Sequence, residues 1–568
     1  MKKAISSKYW WILLLIFLGG INYIASVFHA RVDLTREKRY TLSKATKTML
    51  ANLDEPVTID VFLKGDFPAG FKKLANSVQE FLQECKDDSK GMLQFNFSDP
   101  LKNLSDSNAA RLMDSLDYFY DISRYVLQAP SKVGDELKQK IVLPGAVIHY
   151  RDTTIGVDLL KGARNYGTDP EQLAALYNDV EATLEYKFAS AIQKATSRDK
   201  PLVGYALGNG EGWGYNVNDA VRTLIKDYRF DTVNIRQLKF IPAAFNALVI
   251  LKPTIPFTDE DKFKIDQYVM RGGKVFWMVD NMYAEFDSLY KSNGFTAYDR
   301  GLNLEDLLFR YGVRLNQNLL QDMQCDKLGQ ISGDPNNPQT RLVDWPFFPI
   351  LNGTNHPISK NLDGVRAMFP NTLDTVRADG IKKTFLLRSS ANARILNAPA
   401  IVDFEFLQIA PDSKEFTVHD TTVAALLEGK FKSLYAGRVP QAVADSMAAA
   451  GVPVKSSCDT ANKMIVVADG DIAMNQVSQQ YGPLPMGYNL YTRYTFANKE
   501  FFTNSLEYLV NPSGILETRA KEFTLRLLDP KKVRDQKTFW QFINIGLPVL
   551  LVLLAGLLYQ QVRKKKFA

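Results

Sequence analysis

Cysteine and histidine are scarce in this chain, with three and four residues respectively among 568. Cys85, Cys325 and Cys458 are far apart and odd in number, so no disulfide framework is implied. His29, His149, His356 and His419 are equally scattered, and no pair stands at metal-ligand spacing. No G-x-x-x-x-G-K-[ST] run occurs, so the chain has no nucleotide phosphate loop of its own. It also lacks a G-x-S-x-G or G-x-C-x-G elbow, and with it a placed nucleophile. The sequence therefore predicts no catalytic residue, no metal and no cofactor.

Net charge is a further absence once it is located. The formal value is +7, and Lys2, Lys3, Lys8, Arg563, Lys564, Lys565 and Lys566 supply it from the two tails. Without those seven, 62 basic residues face 62 acidic ones. A nucleic-acid binder concentrates positive charge on its folded body, so that class of partner is set aside.

What the tails do carry is apolar length. Tyr9–Phe28 and Phe539–Tyr559 are free of charge, and each is about 20 residues, the length a helix needs to cross a bilayer. Their positive flanks place both termini in the cytoplasm and everything between outside it. A cleaved signal peptide is the competing reading of the first run. That run exceeds the roughly 7–15 residues of a signal core, and residues 26–30 make a poor cleavage site, which favours an uncleaved anchor. The second run holds Asn544, Gly546 and Pro548, tolerable in a membrane helix with protein neighbours. It reads either as a lone tail anchor or as a helix packed in a larger complex, with Gly546 and Pro548 as candidate contacts to a membrane partner.

The body of about 510 residues is too long for one core. Residues 1–8 are expected as a cytoplasmic tail, 9–28 as a transmembrane helix and 31–198 as an N-terminal extracytoplasmic α/β domain. Residues 199–330 are expected as a second α/β domain, because apolar strands at 202–207, 247–251 and 274–279 alternate with helices at 217–228 and from Thr258, the pattern of a parallel sheet covered on both faces. Residues 331–463 read as an insertion or second subdomain, with Pro335–Pro357 an excursion from the sheet. Strands at 385–387 and 464–468 and a helix at 499–510 return to it, the last two within 464–535. Residues 539–559 form the second span, and 563–568 a basic tail.

Gly208, Gly210, Gly212 and Gly214 follow one strand and precede a helix, a place where backbone N–H groups could hold an anion. The dinucleotide spacing fails, since Trp213 stands where the third glycine belongs. The segment reads as a structural turn, or else as a ligand or partner loop presenting Asn209, Glu211 and Trp213. Asp280, Asp469 and Asp471 follow strands at the edge where α/β sheets place their sites, although such carboxylates also cap helices and close turns. Asp259–Asp261 is read as compensation of a helix dipole, and Cys325 as a structural thiol.

The segments DLTREKRYTLSKAT, VTIDVFLKGDFPAGFKKL and ALVILKPTIPFTDEDKFKIDQYVMRGGKVFWMVD resemble the gliding-motility-associated ABC transporter auxiliary proteins of the GldG family. LLFRYGVRLNQNLLQDMQC, KTFLLRSS, MIVVADGDIAMN and EFTLRLLDPKKV extend the likeness in collinear order over most of the chain. The resemblance implies a bacterial inner-membrane protein working beside a separate ATPase and a separate multi-span permease, with gliding or secretion components as further partners. It also implies a middle region similar to an intraflagellar-transport domain related to the amidotransferase or flavodoxin-like fold. The expectation is thus a non-enzymatic subunit whose periplasmic body binds a client or couples the complex to motility machinery. A periplasmic solute-binding protein and a degenerate amidotransferase-like enzyme are the alternatives.

Overall fold

The computed structural model describes residues 10–27, 41–67, 69–130, 137–161, 170–197, 199–332, 339–404, 412–520 and 530–567. Contacts divide the chain into two compact units, residues 1–521 and 522–568. In the first unit the uncharged run near the N-terminus is helix α1 (Trp10–Val27).

Period-two alternation builds the next sheet. In β1 (Val57–Val61), Val57, Ile59 and Val61 are buried while Thr58 is exposed. Helix α2 (Ala69–Asp88) lays Phe71, Leu74, Val78, Leu82 and Cys85 on one buried face, at the three- and four-residue spacing of a helix. Strand β2 (Leu93–Phe97) runs parallel to β1, and the hairpin β3 (Gly145–Tyr150) and β4 (Thr153–Asp158) completes the order β2-β1-β3-β4. Helix α3 (Pro170–Thr196) packs Val180, Leu184, Phe188 and Ile192 into this core. Tyr186 points the other way, against the larger core, and donates its hydroxyl to Asn504 Oδ1 at 2.9 Å.

The larger sheet begins with β5 (Leu202–Leu207) and β6 (Arg229–Asn234), separated by helix α4 (Asn218–Asp227). Strand β7 (Ala247–Leu251) has all five residues buried, because helices and loops cover both its faces. Helix α5 (Asp259–Met270) starts at Thr258 with a reciprocal capping box: Asp261 N–H donates to Thr258 Oγ1, and Thr258 N–H to Asp261 Oδ2. Strand β8 (Lys274–Met278) follows, then the short helix α6 (Glu305–Tyr311). The remaining strands are β9 (Cys325–Ser332), β10 (Gln339–Gly353), β11 (Ile381–Arg388), β12 (Thr422–Gly429) and β13 (Asn462–Val467). They assemble in the order β9-β10-β11-β12-β13-β8-β7-β5-β6. Helix α7 (Asn498–Val510) packs Phe502 against Phe276 of β8, ring centroids 5.7 Å apart.

The strands expected to form a parallel sheet, β5, β7 and β8, do pair in parallel, but the sheet continues beyond them with antiparallel strands. Strands β6, β5, β7, β8 and β13 run parallel, whereas β12, β11, β10 and β9 continue antiparallel. Residues 331–463, expected as an insertion or second subdomain, contribute β12 to the sheet between β13 and β11. The Pro-rich stretch expected as an excursion contains β10, the longest strand. Pro346 and Pro349 are tolerated because β10 meets β11 only at Asn352 and Gly353, and its register with β9 shifts between Cys325 and Lys327.

The second unit holds helix α8 (Pro530–Phe567), with Pro548 inside it. Its stretch Gln536–Lys565 is, among the described residues, the one helix long and apolar enough to cross a membrane.

Candidate functional site

The five parallel strands, counted along the chain, lie in the order 2-1-3-4-5. In such sheets the crevice opens where the order reverses, outside the C-terminal ends of the first and third strands. Here those are β5 and β7, followed by the glycine loop and by Lys252.

The chain closes this crevice itself. The Asn209 carbonyl accepts the N–H groups of both Thr254 and Ile255 at 2.9 Å, and Thr254 Oγ1 donates to the Gly210 carbonyl at 3.0 Å. Gly210 has φ +78°, and a Cβ there would lie 2.2 Å from Thr254 Oγ1. The glycine is required by a close approach between two loops rather than by an anion. Asn209 and Glu211, expected as exposed groups, are both buried. The Asn209 N–H donates to Glu211 Oε2 at 2.7 Å, and burial raises the Glu211 carboxyl above its ordinary range. Of the three named residues only Trp213 is exposed, its indole parallel to the Phe230 ring at 6.4 Å.

Beside the closed crevice the strand ends carry a dense ionic cluster. Asp280 follows β8, and Asp469 and Asp471 follow β13. These three carboxylates bring one oxygen each within 4.8 Å of the others, the only such grouping of metal-type ligands found among the described residues. The positive charge there comes from the chain. Lys252 Nζ stands 2.6 Å from Asp471 Oδ1, 3.1 Å from Asp280 Oδ2 and 3.1 Å from Glu285 Oε2. Arg300 Nη2 closes on the other Glu285 oxygen at 2.6 Å. Lys252 is buried and left-handed, with φ 45°, a conformation unfavourable for a residue with a Cβ and held here by three charged partners.

Four carboxylates thus share two cations. Burial, with Asp280 and Glu285 adding repulsion against the pull of Lys252, pushes the Asp471 carboxyl up to about 7. Burial, then Asp280 and Asp471, likewise raises Asp469 well above the usual range. Burial opposes ionisation of Glu285 too, but Lys252 and Arg300 outweigh it and lower that group. The remaining oxygens brace loops: Asp280 Oδ1 accepts Gly470 N–H, and Asp469 accepts Asp471 N–H at 2.7 Å and Met368 N–H at 2.8 Å. Asn281 N–H reaches Asn371 Oδ1 at 2.7 Å, tying the same edge to a further loop. The arrangement holds strand ends together with every cluster carboxylate committed to a chain partner.

The thiols sit elsewhere. Cys85 and Cys458 are buried and Cys325 half-buried, and all three are unpaired. Burial raises each, Cys325 to about 12 and Cys458 to about 11, so they stay protonated at neutral pH. Asp259 and Asp306 share the buried Lys262 ammonium, so the acidic start of α5 serves an ion pair as well as the helix dipole. The sequence reading passed over Lys252, Glu285 and Arg300. The one local signal was a lysine placed directly after five apolar strand residues.

The fold is a mixed α/β body with a closed sheet edge, joined in one chain to an apolar helix long enough to cross a membrane. Residues 200–505, more than half of the chain, match the family described as ABC-type uncharacterized transport system, and the protein belongs to that family. Residues 36–149 match a domain of unknown function. An uncharacterized protein of Borreliella burgdorferi is 22% identical over 437 residues, covering 74% of this chain and 77% of that protein. Among solved structures, the mmIFT52 N-terminal domain aligns over 55% of this chain and 97% of its own length, at 12% identity and a TM-score of 0.30, too low to bear on the fold.

Proposed function

We propose that this chain is a non-enzymatic auxiliary subunit of an ABC-type complex of the bacterial inner membrane. A helix at each end anchors it, with both termini cytoplasmic and the α/β body periplasmic. A separate ATPase and a separate multi-span permease complete the complex. The body binds a client or couples the complex to gliding and secretion machinery. The family match over residues 200–505 carries this reading. Two spans are too few to enclose a transport path, which is why a permease is required.

Other observations support it. The positive residues that flank the two apolar runs are the ones that orient membrane segments. The 2-1-3-4-5 strand order is that of flavodoxin-like sheets, the class to which the amidotransferase-related reading of residues 199–330 belongs. Thiols held protonated and a crevice closed by its own loops support a role other than catalysis. Capture of the tagged full-length chain from native membranes tests the proposal. It should bring down an ATPase and a permease in fixed ratio, and a strain lacking the chain should stop spreading. Recovery of neither subunit overturns it.

A further inference from the structure

A cavity lies away from the closed crevice, between α6 and the segment that follows it. It has a volume of about 830 Å³, within the range of small-ligand sites. Glu305, Phe309, Arg310, Arg314, Gln317 and Asn397 are among its lining residues. We propose that this cavity binds a neutral saccharide, through hydroxyl groups held by Glu305, Arg310 and Asn397 and a sugar face laid on Phe309.

The walls are fixed before any ligand arrives. Residues Val313–Leu315 pair with Leu373–Thr375, and Asn318–Asp322 pair with Ala393–Asn397, so both ends of the floor are strand-bound. Asn318 spends both side-chain atoms on Thr372, and Asn316 donates to Thr372 Oγ1 at 2.8 Å. Arg314 is held by Asp374 at 2.7 Å and by Asn316 Oδ1 at 3.0 Å. Asp306 is paired with the buried Lys262 ammonium at 2.9 Å. A rigid wall of this kind lowers the ordering cost of binding.

What remains uncommitted decides the ligand. Among the described residues the Glu305 carboxylate and the Asn397 amide have no side-chain hydrogen bond, and Arg310 uses only Nε, on the Ser433 carbonyl at 3.2 Å. Gln317 spends its amide nitrogen on Asp299 Oδ2 at 2.6 Å, which leaves its carbonyl. A carboxylate only accepts, a guanidinium only donates and an amide does both. Hydroxyl groups, which donate and accept, satisfy all three kinds at once. An anion would suit Arg310 and be repelled by Glu305, and a cation the reverse. Asp374 is paired with Arg314 and Asp306 shares the Lys262 ammonium with Asp259, while Glu305 and Arg310 offset each other, so no strong surplus of either sign is left to draw a charged ligand. Phe309 is 54% exposed and lines the cavity, so its ring is available for a sugar face to lie against.

The test uses the full-length chain in phosphatidylcholine nanodiscs, because maltoside detergents would bring a sugar of their own. Calorimetric titration with a panel of neutral gluco-, galacto- and manno-oligosaccharides should give saturable binding of at least one. Phe309→Ala and Asn397→Ala should each weaken it tenfold or more. Both side chains are exposed, so their melting temperatures should match the wild type, and Trp213→Ala should leave affinity unchanged. Binding of neutral peptides or of the anionic saccharide alginate in preference to every neutral sugar overturns the proposal. So does an affinity untouched by both cavity variants, or no binding across the panel.

Discussion

Lys252 shows how much one buried ammonium can organise. Its charge holds three carboxylates from two separate segments, and its left-handed backbone is tolerated for that reason. Lys252→Met should therefore destabilise the body by about 3–5 kcal/mol, the usual cost of leaving buried charges without a partner. Urea denaturation of the wild type and the variant at pH 7 measures it, and a loss below about 1 kcal/mol would remove the organising role. Asp471 gives the pH dependence. Its carboxyl titrates near 7 in the folded chain against an ordinary value of 3.8, so the folded state binds the extra proton between those limits. Stability from this group is complete below the lower value and is lost as pH rises toward 7, by at most about 1.4 kcal/mol per unit. Asp471→Asn should flatten the denaturation midpoint between pH 5 and 7.5, where the wild type declines. Asp280, Asp469 and Asp471 of this cluster were visible in the sequence, as carboxylates just past apolar strands. Their cation was not, because Lys252 and Asp471 are 219 residues apart and a lone lysine after a strand looks solvated.

At the scale of elements, the glycine loop separates conformation from contact. Gly210 and Gly272 both have positive φ, +78° and +93°, so alanine strains either backbone by about 1–2 kcal/mol. At Gly272 an added Cβ meets nothing within 4 Å, whereas at Gly210 it meets Thr254 Oγ1 at 2.2 Å. Gly210→Ala should cost at least about 1 kcal/mol more than Gly272→Ala by thermal denaturation, the excess being the cost of parting the two loops. Equal costs would mean the crevice is not held shut there. The parallel half of the sheet was legible because β5, β7 and β8 are short apolar runs punctuated by turn and cap residues. The antiparallel half was harder to read. Residues 339–353 contain Pro346 and Pro349, which mark a loop unless a partner strand is shifted around them, and that shift depends on residues in a different segment. The inward role of Asn209 and Glu211 was hidden for a similar reason, since polar loop residues look exposed until Thr254 and Ile255 are brought against them.

The whole molecule places a neutral body between two positively charged tails. If those tails set the orientation, replacing Arg563, Lys564, Lys565 and Lys566 together by Gln should move the C-terminus of a share of the molecules to the far side of the membrane. Reporter fusions at the C-terminus read that share, and an unchanged topology would shift the orienting role to the N-terminal lysines. The apolar helix of the second unit was plain in the sequence from length and composition alone, whereas the saccharide cavity had no linear signal, its wall being gathered from segments around 305–318, 374, 397 and 434.

Helix α3 adds a mechanical consequence. Its Val180, Leu184 and Phe188 are embedded in the smaller core. Tyr186, Gln193 and Lys194 meanwhile grip Asn504, Asn511 and Asp227 of the larger one. A helix of 27 residues, about 40 Å long, is therefore held by both cores over the part from Leu176 to Ala195. A pull arriving along this helix should load the two cores together, because the same helix is bonded to both.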